Sequence, residues 1–277
     1  MKNSNLKTRA ITAVIFSITL ISTIAFHQYS MLVFVLLVNL LGLYEFFRLE
    51  KASGKSPLFL YTAIISTFFL LLTMAVAYKM IPGEWFFLSF LLVTPLFIAE
   101  LYRKQPDSFT NIAYALLALV YISLPFSLLI KLSVKVSSGF ILFDPTLVLG
   151  IIFLIWANDT GAYLFGMSMG RNKLFERISP KKTWEGAAGG LLTSMLLAWI
   201  ISGFFDRITP INWLVISAIV VVFGNYGDLI QSMLKRNLDV KDSGSLLPGH
   251  GGILDRFDSL LLAVPFSYVY LQIIQIL

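Results

Sequence analysis

Residues 58–78 read LFLYTAIISTFFLLLTMAVAY, and no charged side chain interrupts them. A helix needs about 20 apolar residues to cross the roughly 30 Å of hydrocarbon in a bilayer. The whole chain agrees, because 57% of its 277 residues are hydrophobic and only 13% are charged. Soluble domains carry about 25% charged residues, so this composition excludes a soluble fold as well as a disordered chain. Long unbroken runs also argue against a β-barrel, whose strands alternate in segments of about ten residues.

Further apolar runs flank this one, and together they predict an all-α, polytopic membrane bundle of about nine transmembrane helices. Their predicted bounds are Ala10–Phe26, Met31–Phe47, Leu58–Tyr78, Trp85–Leu101, Ile112–Ile130, Thr146–Phe165, Ala187–Phe205, Trp213–Ile230 and Ser259–Ile276. We expect a single membrane domain over residues 1–277. Within it, residues 1–145 would form helices of structural or assembly role, and residues 146–277 the catalytic helices and cytoplasmic loops.

The basic residues predict the orientation of these helices, because Lys and Arg collect on the cytoplasmic side of a membrane. With a cytoplasmic N-terminus, the outer segments hold only Lys79, Lys131, Lys135 and Arg207. The net charge of +6 is therefore explained first by the membrane orientation of the chain and only second by a binding surface. It gives no reason to expect nucleic acid. The chain has no cysteine, which excludes disulfides and thiolate metal sites.

Polar residues inside two predicted spans mark candidate functional positions, because ionisable groups in a membrane are costly. Asn158 and Asp159 lie in the sixth span, and Asn225 and Asp228 lie in the eighth. The alternative is that these groups only form hydrogen bonds between helices. In the eighth span, Asp228, Ser232 and Lys235 are spaced i, i+4 and i+7, which places them on one helix face.

The segment 232–258 combines three features that suit a polyphosphate and a cation. Lys235, Arg236 and Lys241 are clustered cations, and Arg can contact phosphate oxygens in a bidentate manner. The glycines at 249, 251 and 252 precede a predicted helix N-terminus, where backbone N–H groups attract anions. Asp255 and Asp258 offer hard oxygen ligands that suit Mg²⁺ better than Zn²⁺. Taken singly, the features could be a simple turn, a favourable helix dipole or a headgroup-binding run.

This segment closely resembles the signature of the phosphatidate cytidylyltransferase family, the CDP-diacylglycerol synthases. The shared pattern is S-x-x-K-R, four residues, K-D, and then P-x-H-G-G-x-x-D-R-x-D, and it runs here from Ser232 to Asp258. The runs 158–163 (NDTGAY) and 179–186 (SPKKTWEG) are also similar to the family. The resemblance covers roughly residues 150–277 closely, whereas the first 150 residues match in hydropathy and span count alone.

The resemblance implies transfer of a cytidylyl group from CTP to phosphatidic acid, giving CDP-diacylglycerol and pyrophosphate, with Mg²⁺, at the cytoplasmic face of the inner membrane. On this basis we expect catalytic roles for Asp228, Asp255, Lys235 and Arg236. The expected substrate-binding residues are Lys181, Lys182, Lys241, Arg256, Ser232, His250, Gly251, Gly252, Asn158 and Asn225. The expected metal ligands, for one or two divalent ions or a second, different cation, are Asp228, Asp255, Asp258 and Asp159.

Several finer expectations accompany these roles. Lys181 and Lys182 would lie beside a helix that starts near Pro180, and Glu185 would orient one of the two lysines. His250 would either contact phosphate or brace the glycine loop. Phosphatidic acid would enter sideways from the bilayer, and the small residues around Gly166 and Gly186 would pack helices inside one bundle or across a homodimer.

Two other readings remain open at this point. One is a related enzyme that acts on another lipid, such as a CDP-archaeol-type synthase or a CTP-dependent polyprenol kinase. The other is an ion-coupled transporter, which also uses intramembrane carboxylates. A transporter needs access from both sides, whereas the candidate residues here gather on one side.

Overall fold

The computed structural model describes residues 2–52, 58–238, 240, 243–244 and 251–276. Most of these residues are helical, and four short strands form two antiparallel β-hairpins between helices. The helices are α1 (Lys2–Phe26), α2 (Gln28–Ala52), α3 (Phe59–Ala77), α4 (Leu88–Leu91), α5 (Thr94–Arg103), α6 (Ser108–Ala118), α7 (Leu124–Leu132), α8 (Thr146–Met169), α9 (Trp184–Ile201), α10 (Pro210–Asn237) and α11 (Leu254–Ile273). The strands are β1 (Val134–Ser137), β2 (Phe140–Phe143), β3 (Lys173–Phe175) and β4 (Ser179–Thr183).

The chain is an integral membrane protein. In the described part, seven helical stretches are long and apolar enough to cross a bilayer, and they are Gln28–Lys51, Phe59–Ala77, Gly83–Arg103, Ser108–Leu132, Thr146–Met169, Trp184–Ile201 and Pro210–Asn237. The first and last predicted spans are also helical, but α1 offers a shorter apolar stretch, Ile11–Phe26, and α11 carries Pro265 and charges in its first turn. Nine spans and a cytoplasmic N-terminus therefore stay predictions.

Two predicted spans differ in local geometry from the continuous helices expected. The span predicted over Trp85–Leu101 lies within the helical stretch Gly83–Arg103, which is long and apolar enough to cross a bilayer, but it is irregular, because a 3₁₀ turn at Gly83–Phe87 and the short α4 precede α5. In the span Ile112–Ile130, a π-helical turn at Leu119–Ser123 joins α6 to α7. Pro95 and Pro125 lie at the first turns of α5 and α7, where a residue without an N–H is tolerated.

The chain divides into two compact units, one formed by residues 1–143 and 242–256 and the other by residues 144–241 and 257–277. The division after Phe143 lies close to the boundary expected at residue 145, but the segment 242–256 groups with the N-terminal helices. The separate roles expected for residues 1–145 and 146–277 stay predictions.

Buried hydrogen bonds link three helical segments of the first unit. The Asn39 side chain donates a hydrogen bond to the Ser66 hydroxyl, and the Ser66 and Ser123 hydroxyls are also hydrogen-bonded, both at 2.7 Å.

In the second unit, α8 and α9 pack closely because glycines line their interface. A Cβ at Gly161 would overlap Thr193, and a Cβ at Gly189 would overlap Phe165. The small residues near Gly166 and Gly186 therefore pack helices within one chain, and a homodimer stays a prediction. On α9, Leu192, Leu196 and Trp199 are each more than 60% exposed on a surface that lipid can cover.

Candidate active site

The hairpin β3–β4 presents two lysines next to the start of α9. Lys181 is exposed and Lys182 half-buried on β4, which ends at Thr183. The Thr183 hydroxyl accepts a hydrogen bond from Gly186 N at 3.1 Å and so caps α9, satisfying a backbone donor that has no acceptor within the helix. The expectation that a helix starts near Pro180 is therefore wrong, because Pro180 lies in the strand.

Lys182 is paired with a carboxylate on α10. Its Nζ lies 2.5 Å from Asp228 Oδ2, and the two side chains are 28% and 27% exposed. Lys235, seven residues further along α10, also acts electrostatically on Asp228. The predicted helix through Asp228, Ser232 and Lys235 is confirmed, since α10 is continuous from Pro210 to Asn237. Asp228 therefore has a cation on a second element and another on its own helix.

Asp228 and Asp258 are two candidate metal ligands that lie in contact. Their side chains are in hydrogen-bonding contact, and Asp258 is buried. The approach depends on Gly227, because a Cβ at that position would overlap the Asp258 backbone carbonyl. Asp159 also acts electrostatically on Asp258. Two carboxylates in contact repel each other unless a proton or a cation lies between them, so this pair fits a divalent ion.

The described residues hold no group of three or more Asp, Glu or His side chains that could ligate a metal by themselves. Mg²⁺ does not require such a group, because it is commonly held by one or two carboxylates, substrate phosphates and water. The pair Asp228 and Asp258 fits that mode of binding. Metal binding by these residues and by Asp159 and Asp255 stays a prediction.

A polar cavity of about 220 Å³ opens beside the lysines, and Asp159, Lys181, Lys182 and Asn225 line it. An apolar cavity of about 380 Å³ shares Asn225, Leu174 and Ala187 with it. Its other lining residues are Phe175, Trp184, Ala188, Leu191, Val221, Val222, Tyr226 and Leu229. A larger cleft of about 530 Å³ between α8 and α9 has no charged lining residue. The paired cavities are thus the better candidate for binding a polar headgroup attached to an apolar tail.

The two predicted asparagines occupy different places. Asn225 lines both cavities, as a substrate-binding residue would. Asn158 is buried in the α8–α9 interface, where a Cβ at Gly190 would overlap its Oδ1. That Oδ1 has no hydrogen-bond partner within the described part of the chain. The position of Asn158 favours the helix-packing alternative, and its substrate role stays a prediction.

In the first unit, Asp255 anchors the segment that precedes α11. Its Oδ1 accepts a hydrogen bond from Ser243 Oγ at 3.0 Å. Its Oδ2 accepts hydrogen bonds from Ser243 N at 3.0 Å and Gly252 N at 3.2 Å. Oδ2 thus holds the backbone before the helix, and Oδ1 holds the Ser243 side chain. Gly251 has a φ of +83°, which favours glycine at this turn.

The remaining candidates are less constrained. Arg236 and Arg256 are exposed, and Ser232 is half-buried on α10. Lys241 and His250 lie outside the described residues, so their expected substrate contacts stay predictions. Glu185 accepts hydrogen bonds from the backbone N–H groups of Arg171 and Asn172 and from the Asn172 side chain. It therefore braces the loop after α8 instead of orienting a lysine as expected.

Sequence reasoning missed Glu45, which is buried in α2 of the first unit. Its carboxylate accepts hydrogen bonds from Ile253 N and Leu254 N, both at 2.9 Å. The signal was present, because Glu45 is an ionisable residue inside the predicted span Met31–Phe47. Asp159 and Asp228 were selected because ionisable groups inside a membrane span are costly, and the same reasoning applies to Glu45.

The sequence model of the Cytidylyltransferase family matches residues 7–274. The chain belongs to this family. The match includes the cations of β4, the carboxylates of α8, α10 and α11, and also Glu45. The resemblance found in the sequence is confirmed, and it extends over nearly the whole chain instead of residues 150–277 alone.

Two of its curated relatives match this chain over nearly their full length, and a third matches part of it. The phosphatidate cytidylyltransferase of Bacillus subtilis (strain 168) is 33% identical over 270 residues, which cover 97% of this chain and 98% of the relative. That of Staphylococcus epidermidis (strain ATCC 12228) is 34% identical over 279 residues, covering 96% and 99%. That of Haemophilus influenzae is 45% identical over 130 residues, covering 45% of each chain.

Proposed function

We propose that the protein transfers a cytidylyl group from CTP to phosphatidic acid, releasing CDP-diacylglycerol and pyrophosphate with the help of Mg²⁺. Family membership supports the cytidylyl transfer, and the names of the full-length relatives point to phosphatidate as the acceptor. The active site would face the cytoplasm from the inner membrane. The excess of Lys and Arg in the predicted cytoplasmic segments supports that orientation.

The paired cavities are the observation that carries this proposal. The polar cavity has two lysines for phosphate oxygens, and the adjoining apolar cavity has Trp184, Leu191 and Val222 for hydrocarbon. A lipid phosphate needs these two environments side by side, because its acyl chains stay in the bilayer while its headgroup reacts. A water-soluble acceptor of the cytidylyl group would need only the polar environment.

The reaction needs charge stabilisation more than proton transfer. A phosphatidate oxygen is already anionic, so it attacks the α-phosphorus of CTP without a general base. A new P–O bond forms, the bond from the α-phosphorus to the bridging oxygen breaks, and its electrons leave with pyrophosphate. Positioning and electrostatic stabilisation dominate such transfers. Lys181 and Lys182 would bind phosphate oxygens and so bring two polyanions together.

Asp228 and Asp258 would hold Mg²⁺, with CTP phosphate oxygens and water completing its coordination. The ion would neutralise charge on the reacting phosphates. Lys182 and Lys235 offset the negative charge of Asp228. A second cation beside Asp159 is compatible with the same group of carboxylates.

The decisive experiment incubates the purified protein with labelled CTP and a panel of lipid phosphates, with and without EDTA. We expect CDP-diacylglycerol and an equal amount of pyrophosphate with phosphatidic acid, and loss of both with EDTA. Product from a polyprenol or an archaeol phosphate, with none from phosphatidic acid, would replace the proposed acceptor. Substrate flux in proteoliposomes without CTP turnover would favour a transporter instead.

A further inference from the structure

Glu45 is a carboxylate buried within a membrane-spanning helix of the first unit, and only 1% of the residue is exposed. Such a group is costly in a bilayer unless partners satisfy it. Its partners are the backbone N–H groups of Ile253 and Leu254, one for each carboxylate oxygen. Glu45 therefore accepts hydrogen bonds from the backbone at the start of α11.

Two glycines allow this contact. A Cβ at Gly244 would lie 2.5 Å from Glu45 Oε1, and a Cβ at Gly252 would lie 2.6 Å from Oε2. Real Cβ atoms do not approach an oxygen so closely, so any side chain at either position would displace the carboxylate. Gly244 and residues 252–254 thus lie closely around the end of the Glu45 side chain.

The first N–H groups of a helix have no acceptor within the helix, and they attract anions. At the start of α11, Glu45 accepts from two of these donors, Ile253 N and Leu254 N, and Asp255 accepts from the N–H of Gly252 just before the helix. The anion at this helix start is thus supplied by the protein. The N–H groups of Ile253 and Leu254 are thus already engaged by a carboxylate.

We infer that Glu45 is a positioning residue for cytidylyl transfer, acting through the backbone of Gly252–Leu254 to hold Asp255 and the adjoining turn in their working arrangement. The inference rests on the proposed function for its effect on turnover. The contact itself does not depend on that function. Glu45 touches backbone, so its removal should affect the rate of the reaction more than CTP binding.

The test compares Glu45→Gln, Glu45→Asp and Glu45→Ala with Glu100→Gln as a matched control. Glu100 is also a buried carboxylate of the first unit, but its partners are Arg103 and Asn111. We expect kcat per folded protein to fall at least about tenfold in Glu45→Ala, with less than about threefold change in KM for CTP. Gln keeps the chain length and one acceptor, whereas Asp is too short, so Gln should retain more activity than Asp.

Amide hydrogen exchange at Ile253 and Leu254 supplies a readout that needs no turnover. Both N–H groups should be protected in the unmodified protein and exchange at least about tenfold faster in Glu45→Ala. Glu100→Gln should leave them protected. Loss of protection confined to the Glu45 variants would support the contact even if the protein failed to convert CTP, an outcome that would refute only the proposed function.

Other results would overturn the inference. They are unchanged kcat per folded protein after protection is lost, a large rise in KM for CTP with unchanged kcat, or full activity in Glu45→Asp with none in Glu45→Gln. A double-mutant cycle adds a geometric check, because Gly244→Ala should slow turnover strongly in the native background and only weakly in Glu45→Ala. Independent effects of the two substitutions would count against the positioning role.

Discussion

Lys182 Nζ lies 2.5 Å from Asp228 Oδ2 and joins strand β4 to helix α10 in the second unit. Both side chains are more than a quarter exposed, and ion pairs so accessible to solvent usually contribute only about 0–1 kcal/mol to stability. The more important consequence is electrostatic, because Asp228 also contacts Asp258. Lys182 offsets the negative charge of one of two adjoining carboxylates. The polar cavity that it lines is the place where the phosphates of both substrates would have to bind.

Replacing this lysine should impair catalysis much more than folding. We expect Lys182→Met to lower kcat/KM for CTP at least about tenfold, equivalent to about 1.4 kcal/mol of transition-state stabilisation. The free energy of unfolding should change by less than about 1 kcal/mol. Steady-state kinetics and thermal unfolding in the same detergent measure both effects. Lys173→Met, on the other strand of the hairpin, is the control, and equal kinetics in the two variants would remove Lys182 from the site.

Asp228→Asn and Asp258→Asn should each weaken the response to Mg²⁺. Each substitution removes one negative oxygen from the pair that would hold the ion, so the Mg²⁺ concentration for half-maximal turnover should rise at least about tenfold. A titration of turnover against free Mg²⁺ measures the shift. Glu176→Gln changes an exposed carboxylate between β3 and β4 and should leave the titration unaltered. Identical titrations for all variants would contradict the metal assignment.

Gly227→Ala should separate α10 from α11 at the carboxylate pair. The new Cβ would overlap the Asp258 carbonyl, and such overpacking typically costs about 1–3 kcal/mol. We expect a lower melting temperature and a loss of turnover that additional Mg²⁺ only partly restores. Gly83→Ala is the control, because no atom lies within 4 Å of a Cβ built there. If both variants melt and react alike, the close approach at Gly227 has no functional importance.

The apolar cavity can be tested through the lipid substrate. Ala188 lines this cavity but not the polar one, so Ala188→Trp should fill the space that we propose for an acyl chain. We expect the apparent KM for phosphatidic acid to rise about tenfold while the KM for CTP stays within twofold, because a blocked hydrocarbon contact costs about 1–3 kcal/mol. Ala113→Trp places the same ring on an exposed position of α6. A rise in both KM values would point to general distortion instead.

Much of the fold could be predicted where apolar runs are continuous. The span predicted at Leu58–Tyr78 differs by one residue at each end from α3, and the span predicted from Thr146 starts at the first residue of α8. The broken span before Pro95 and the π turn before Pro125 were not predicted, because hydropathy records how apolar a segment is and not how its backbone hydrogen bonds are arranged.

In the candidate site, too, residues could be predicted where neighbouring sequence marks them, but contacts between residues far apart in the sequence could not. Asp228, Asp258, Lys181 and Lys182 could be selected from one stretch of sequence each, because charge in a membrane and motif spacing are local signals. The hairpin β3–β4 was missed, since strands of three and five residues have little periodicity. Glu45 itself carried a local signal, but its partners could not be predicted, because they lie 208 and 209 residues further along the chain.

That sequence separation has a consequence for biogenesis. At about 5–20 residues per second, the ribosome needs roughly 10–40 s to make the chain between Glu45 and the N–H groups that bind it. Throughout that interval α2 must stay in the membrane with an acidic group that its final partners cannot yet satisfy. The first unit can close only after the C-terminal segment 242–256 has been synthesised. Unfinished chains therefore differ from complete ones by an uncompensated acid inside the bilayer.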